Sequence, residues 1–328
     1  MSWLRIKALL GAAVTGWAAS WQPARVQVAA TEVKVPVVVM DKEGKVYGNL
    51  PASAFQVFEN DQPREILNFT GAESNLTVLL LLEHSRISQY LLTEVLRPAA
   101  IFATQVMEPG DYAAIVAFDL RPRVLQDFTR QRQALLNTID ILYKSPPAYS
   151  ESNLFDAVAF ALRGGELDGV EYKGLAEVEG RTGLLVVATG VDTFSKINLD
   201  EARRIAANSG VPVYSIGVGE LAYIRAEPYL SGLQRLNYLQ ARNNLQALSR
   251  ESGGRYYAVR FEAALDDVLQ SIGTMLRLQC VLTYRPAPGG GKRREIRVEV
   301  DVDGDGRPDT DRLDLQYRRY FYPEEVKK

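Results

Sequence analysis

Two short stretches carry residue types able to do chemistry. At 301–309 the chain runs DVDGDGRPD, with carboxylates at Asp301, Asp303, Asp305 and Asp309 and a glycine at Gly306. Alternate spacing lets short carboxylates converge on one point, and four within nine residues repel one another unless a cation joins them. At 78–88 the chain runs VLLLLEHSRIS, an apolar strand-like run that ends in Glu83, His84, Ser85, Arg86, Ile87 and Ser88. Carboxylate and hydroxyl oxygens there are hard ligands, suited to a cation such as Mg²⁺ that wants an oxygen octahedron. A serine beside a histidine is also the raw material of a nucleophile and its base.

Composition removes most other chemistry. The chain has 328 residues with one histidine, His84, and one cysteine, Cys280. A Cys-His zinc cage needs more of both, and no intrachain disulfide is possible. Cys280 lies in a strand-like run and is expected to be a small buried hydrophobe. A hydrolase would have to pair Ser85 or Ser88 with His84, yet neighbours on a strand point to opposite faces. No G-x-S-x-G elbow is present to hold a nucleophile. A serine hydrolase is therefore the least favoured reading, and the chain is expected not to be an enzyme. A formal net charge of −2 gives no reason to expect nucleic acid or an anionic membrane as partner.

The elements that must position these residues fall into three segments. Residues 31–70 alternate at strand period at 33–39, 54–60 and 64–69, which predicts a small antiparallel β module. Between 71 and 278, apolar strands at 76–82, 111–119, 184–188, 211–218 and 255–259 alternate with amphipathic helices. That rhythm predicts an α/β fold, a doubly wound and mainly parallel sheet, with ligands at the carboxyl ends of its strands. Ser152 or Asn153 is expected to cap a helix through Arg163. Residues 279–328 return to strands, at 280–285, 295–300 and 313–322, with the acidic loop between the last two. The two β segments are expected to pair or pack beside the α/β domain.

The order of these elements resembles the von Willebrand factor type A domain, as carried by secreted bacterial proteins behind a short β segment. The pieces that carry the likeness are VPVVVMDKEGKV at 35–46, FQVFENDQPREI at 55–66, LFDAVAFAL at 154–162 and GLLVVATGVDTFS at 183–195. The resemblance implies a von Willebrand factor A-like, Rossmann-like sheet. It also implies a metal ion-dependent adhesion site: a D-x-S-x-S turn after the first strand, a Thr from a second loop and an Asp after the fourth strand. Carried over, the first Asp falls on Glu83, the first Ser on Ser85 and the second on Ile87, with Ser88 one residue late. The Thr falls on Ser152 and the last Asp on Thr189, with Asp192 three residues on. Fewer oxygens and less charge weaken binding of a strongly hydrated ion. The implied site is thus degenerate, with Glu83, Ser85, Ser152 and Asp192 as remaining ligands and Mg²⁺ not expected. Arg86 is expected to pair with Glu83, and His84 to lie on the loop surface.

The acidic loop matches the first nine positions of an EF-hand-type calcium loop, with Gly306 at the bend. Its twelfth position is Arg312, where a bidentate Glu would stand, and its flanks are strands. It therefore resembles the calcium-binding aspartate loops of extracellular β proteins. Asp301, Asp303, Asp305 and Asp309 are expected to hold one Ca²⁺ weakly.

At the amino end, Arg5 and Lys7 precede a short apolar stretch and small residues, the pattern of a secretory signal over 1–30 cleaved between 20 and 30. No other segment is long and apolar enough to span a bilayer. The mature chain is expected to be exported, periplasmic or extracellular. The expected role is a non-enzymatic protein-binding or adhesion module for a protein partner the residues do not identify. The alternative is a structural component of envelope assembly. The binding surface would be the loops at 83–88, 145–152, 189–196 and 219–239. The last of these carries Tyr223, Tyr229, Tyr238, Arg225 and Arg235, types enriched at interface anchors.

Overall fold

The computed structural model describes residues 32–260 and 262–323. The segment expected to be an export signal lies outside the described residues. A six-stranded sheet forms the centre, in the order Tyr256–Ala258, Val213–Gly217, Arg181–Ala188, Leu76–Glu83, Tyr112–Phe118 and Pro122–Thr129. Its first five strands are parallel. The last pairs antiparallel and closes one edge. All eight residues of Leu76–Glu83 are buried, as suits a central strand covered on both faces.

Alternation along that strand divides the core in two. Leu80 and Leu82 face the helices Leu92–Ile101, Arg132–Lys144 and Leu265–Leu278. Leu79 and Leu81 face Leu154–Arg163, Leu199–Ser209 and Gly232–Ser252. The strand period of two thus feeds two helical layers from one run of leucines.

Two further sheets are antiparallel and mix the chain's ends. In one, Val33–Asp41 lies between Cys280–Tyr284 and Leu313–Gln316. In the other, Phe55–Glu59 pairs with Arg294–Val300. They share a core of Val35, Val37, Phe55, Val57, Leu282 and Val298. Cys280 lies in it, buried, and burial pushes its thiol up to about 11. The opposite face of Val33–Asp41 presents Val38 and Met40 to the α/β core, so one strand belongs to both cores.

Several local expectations are corrected. The 219–239 stretch is not a loop. It contains the helix Glu220–Ala226, a turn, and the first turns of Gly232–Ser252, which starts at a Ser231–Gln234 capping box. Its leucines point outward, so it lacks the buried stripe that would mark a helix. The 313–322 run is two strands, Leu313–Gln316 and Tyr320–Phe321, one in each antiparallel sheet. The acidic loop therefore carries the chain from one sheet to the other and is not a hairpin turn. A hairpin, Gly164–Leu167 with Val170–Lys173, occupies a stretch where no strand is expected. Its Asp168-Gly169 turn has φ of 49° and 79°, the Asp-Gly signature of a two-residue hairpin.

Candidate functional site

Glu83 ends the central strand, and Thr189 follows directly on its neighbour Arg181–Ala188. Gly190 turns the chain away at once. Its φ is +85°, and a Cβ there would lie 2.2 Å from the Ala241 carbonyl oxygen, so only glycine fits. With Thr189 held there, its backbone N–H and hydroxyl donate to Glu83 Oε2 at 2.7 and 2.8 Å. Ser85 Oγ donates to Oε1 at 2.8 Å. The carboxylate is fully buried, and burial raises its pKa against these donors, which favour the charged form.

Ser152 comes from the second loop and is also fully buried. Its hydroxyl faces Glu83 and favours the charged form, but its Oγ meets no partner at hydrogen-bond geometry. Glu83, Ser85, Ser152 and Thr189 thus gather at one point. Asp192 does not join them. Its Oδ1 accepts from the Phe155 N–H at 3.0 Å and from Ser195 Oγ at 2.6 Å, capping the helix Leu154–Arg163 from outside. Asp156 returns the exchange, accepting from the Lys196 N–H at 3.0 Å and the Ile197 N–H at 3.3 Å.

Neither Ser152 nor Asn153 caps that helix with its side chain. Asn153 occupies the N-cap position, yet its amide ties together two loops. It donates to Leu120 O at 2.9 Å and Phe194 O at 3.2 Å, and accepts from the Phe194 N–H at 3.0 Å. Sequence reasoning missed this role because an asparagine before a helix signals a cap first.

Two expectations for the 83–88 turn are corrected. Arg86 is exposed and does not pair with Glu83, whose oxygens are taken by Ser85 and Thr189. His84 is not on the surface. It is 1% exposed, with Nε2 against Ser145 O at 3.0 Å and Nδ1 against Arg123 Nη2 at 3.3 Å. That pattern assigns a neutral ring that donates from Nε2 and accepts at Nδ1. Burial, then the Arg123 charge, lowers its pKa. Ser88 braces the turn, its Oγ donating to Ser85 O at 3.1 Å. The ring of His84 thus bonds to no serine side chain, and the Ser85 hydroxyl is committed to a carboxylate.

A hard cation among these residues would meet one carboxylate, with both oxygens already accepting hydrogen bonds. Ser85 and Thr189 would have to turn lone pairs inward in place of the protons they now donate. The arrangement does not fit a ready-made magnesium site.

The acidic loop is arranged differently. Asp301, Asp303 and Asp309 each bring an oxygen within 4.8 Å of the others, a grouping with room for a metal ion. Asp305 stands apart from it, its Oδ1 accepting from the Arg307 N–H at 2.8 Å. Asp301 accepts from the N–H groups of Gly304 and Gly306 at 2.7 and 2.8 Å, and both glycines have positive φ. Arg312 bonds Asp309 Oδ1 and lies 3.2 Å from Asp303 Oδ2, and its guanidinium holds the Asp309 carboxyl below the usual range. Among the described residues, no helix is long and apolar enough to cross a membrane.

No protein-family model matches the chain, and no curated protein matches it. Solved structures similar to it include the conserved hypothetical protein BatB from Bacteroides thetaiotaomicron. That match has 16% identity and a TM-score of 0.43, and covers 62% of this chain and 98% of that one. A second is the vWF domain of the type V pili tip protein Mfa5 from Porphyromonas gingivalis, with 13% identity, a TM-score of 0.44 and coverage of 62% and 96%. A third is proximal thread matrix protein 1 from the mussel byssus with a zinc occupied MIDAS motif, at 12% identity and a TM-score of 0.42. This chain covers 48% of the mussel chain, with 65% of its own length in the match. At these identities and scores the likeness says nothing of what this chain binds.

Proposed function

We propose that the chain is a non-enzymatic, exported protein-binding module of von Willebrand factor A type. It engages its partner through the carboxyl-end face of the parallel sheet, without magnesium. One observation carries this reading. Most of the exposed large apolar side chains among the described residues lie in segments that follow the carboxyl ends of sheet strands, including Ile87, Tyr90, Phe194 and Tyr229, and Tyr149 is tied to the 83–88 turn by the Arg86 N–H on its carbonyl oxygen at 2.8 Å. A monomer leaves large apolar patches open chiefly where something docks. Beneath them, Glu83 is already satisfied by Ser85 and Thr189, which supports a degenerate adhesion site that no longer recruits a cation. The neutral His84, bonded away from every serine hydroxyl, supports a role without catalysis. Export rests on the charged, apolar and small-residue pattern of the amino-terminal segment.

A pull-down from the exported fraction, with and without chelator, tests this. The same partner should be retained in chelator and lost from a Tyr90→Ser, Phe194→Ser double variant. A partner released by chelator, or held equally by the variant, overturns the reading. A partner held instead through an antiparallel sheet edge would favour the structural-assembly alternative.

The convergence of Asp301, Asp303 and Asp309 supports a second, independent reading: weak calcium binding that stiffens the crossing between the antiparallel sheets. Calcium would have to displace Arg312, which is 70% exposed at its side chain and free to swing outward.

A further inference from the structure

The helical arm formed by Glu220–Ala226 and the first turns of Gly232–Ser252 projects from the carboxyl-end face. It is built as a rigid ridge. Tyr223 and Tyr238 stack with ring centroids 3.6 Å apart and planes 8° apart, and the Tyr238 hydroxyl donates to Glu220. Arg235 Nη2 ties the turn by donating to Glu227 O at 3.0 Å. Two of the three tyrosines expected to anchor a partner thus hold the arm itself. The outward side carries Leu233, Leu236 and Leu239, exposed by 68%, 59% and 53%, with Tyr229 at 89%. Leucines every third residue share one side of a helix, so this is an apolar stripe facing solvent.

The arm's exposed charge leans positive, with Arg225 and Arg235 against Glu227. Arg225 and Arg235, both exposed on the arm, form no ion pair with any carboxylate among the described residues. Elsewhere the chain pairs its arginines readily, as in Arg203 with Glu251 and Arg277 with Asp111. The arm's own exposed carboxylate is Glu227. Two copies of this ridge laid together would bring like charges together, which disfavours self-pairing. A partner whose apolar centre is rimmed by Asp and Glu would satisfy both features. Arginine recognises carboxylates in a planar, two-bonded geometry.

We propose that this arm is the docking ridge for a protein segment with an apolar stripe flanked by carboxylates. The inference rests on the reading of the carboxyl-end face as a docking surface and adds the chemistry of the partner. Two synthetic amphipathic helices with one shared leucine stripe, one flanked by Glu and the other by Lys, serve as probes. Each is titrated into the purified full chain by fluorescence anisotropy. The Glu peptide should bind at least about tenfold more tightly, as charge complementarity selects partners. Arg225→Ser should weaken that preference, and Arg225→Glu should reverse it, with Arg235 left in place because it ties the turn. Leu233→Ser with Leu236→Ser should abolish binding of both peptides while circular dichroism and melting stay unchanged, because these side chains are exposed.

Equal binding of both peptides, lost in the leucine variant, overturns the acidic partner and leaves the docking face standing. Binding by neither peptide overturns the ridge, while the chelator and Phe194 comparison decides the face separately. A concentration-dependent dimer in light scattering, broken by Leu236→Glu, assigns the stripe to a second copy and overturns the proposal. Stronger binding to phosphatidylserine vesicles than to either peptide overturns it in favour of an anionic membrane.

Discussion

The Glu83 carboxylate and the Thr189 hydroxyl meet at 2.8 Å across the ends of two neighbouring parallel strands. An aspartate at position 83 would stop one methylene short. The longer arm of glutamate lets a donor of the next strand saturate an oxygen that a cation would otherwise need. Thr189→Val keeps the shape and removes that donor, leaving the backbone N–H. It should cost about 1–3 kcal/mol, the range for leaving a buried polar group short of a partner. Chemical denaturation measures this, and a loss under about 0.5 kcal/mol, typical of neutral surface changes, would show that the hydroxyl is not engaged.

Saturation of Glu83 has a second consequence. Titration calorimetry of the full chain should show no Mg²⁺ or Mn²⁺ isotherm at the strand-end site below the millimolar range expected of poorly charged oxygen sites. A micromolar isotherm abolished by Glu83→Ala would sink this reading.

His84 makes stability depend on pH in a definite direction. Its folded pKa is lowered from 6.5, so the unfolded chain binds its proton more readily. The stability held by the neutral ring is whole above that value and is lost as pH falls through it toward the lowered one. Arg123 and Asp119 face the ring region from neighbouring segments, and a second positive charge beside Arg123 is unfavourable. Glu83, Asp156 and Asp192 shift upward, so their contribution is present at low pH and fades as pH rises through the raised values. Comparison with His84→Gln isolates the imidazole. Between about pH 7.5 and about pH 5.5, the span over which histidine changes charge, the wild type should lose more stability than the variant. Parallel pH profiles would contradict the buried neutral assignment.

At the acidic loop the protein supplies its own cation, since Arg312 bonds Asp309 and lies beside Asp303. Calcium should raise the melting temperature of the full chain only weakly, with a dissociation constant on the order of 10⁻⁴–10⁻³ M. Arg312→Ser should strengthen the calcium shift by removing the competitor. Asp303→Ala with Asp309→Ala should abolish it. Equal melting with calcium and with chelator in both the wild type and Arg312→Ser would reduce the loop to an acidic crossing.

Much of this molecule can be read from local pattern. The unbroken run at 76–82 marks a strand covered on both faces, and the recurrence of such runs between amphipathic helices marks a parallel sheet. Ser85, Ser152 and Glu83 belong together in the linear chain only through the order of those elements, and the fold brings them together. Other features left weak traces or misleading ones. The Asp168-Gly169 turn announced a hairpin in two residues, while the arm at 220–239 concealed a helix because its leucines face water.

By itself the sequence determined which groups exist: one histidine, one cysteine, a glutamate and not an aspartate at the end of the central strand, four aspartates in one loop, and the alternation that builds the sheet. Tertiary structure decided what those groups do. Whether a carboxylate awaits a cation or is already satisfied depends on which donors the neighbouring strand brings within hydrogen-bond reach. That reach is set by packing between segments a hundred residues apart, as for Glu83 and Thr189. The same holds for Asp192, drawn off to cap a helix, and for His84, buried by the edge strand and by the end of the helix Arg132–Lys144. Local spacing fixes the types of atoms available, and only the folded chain fixes the distances at which their charges and protons meet.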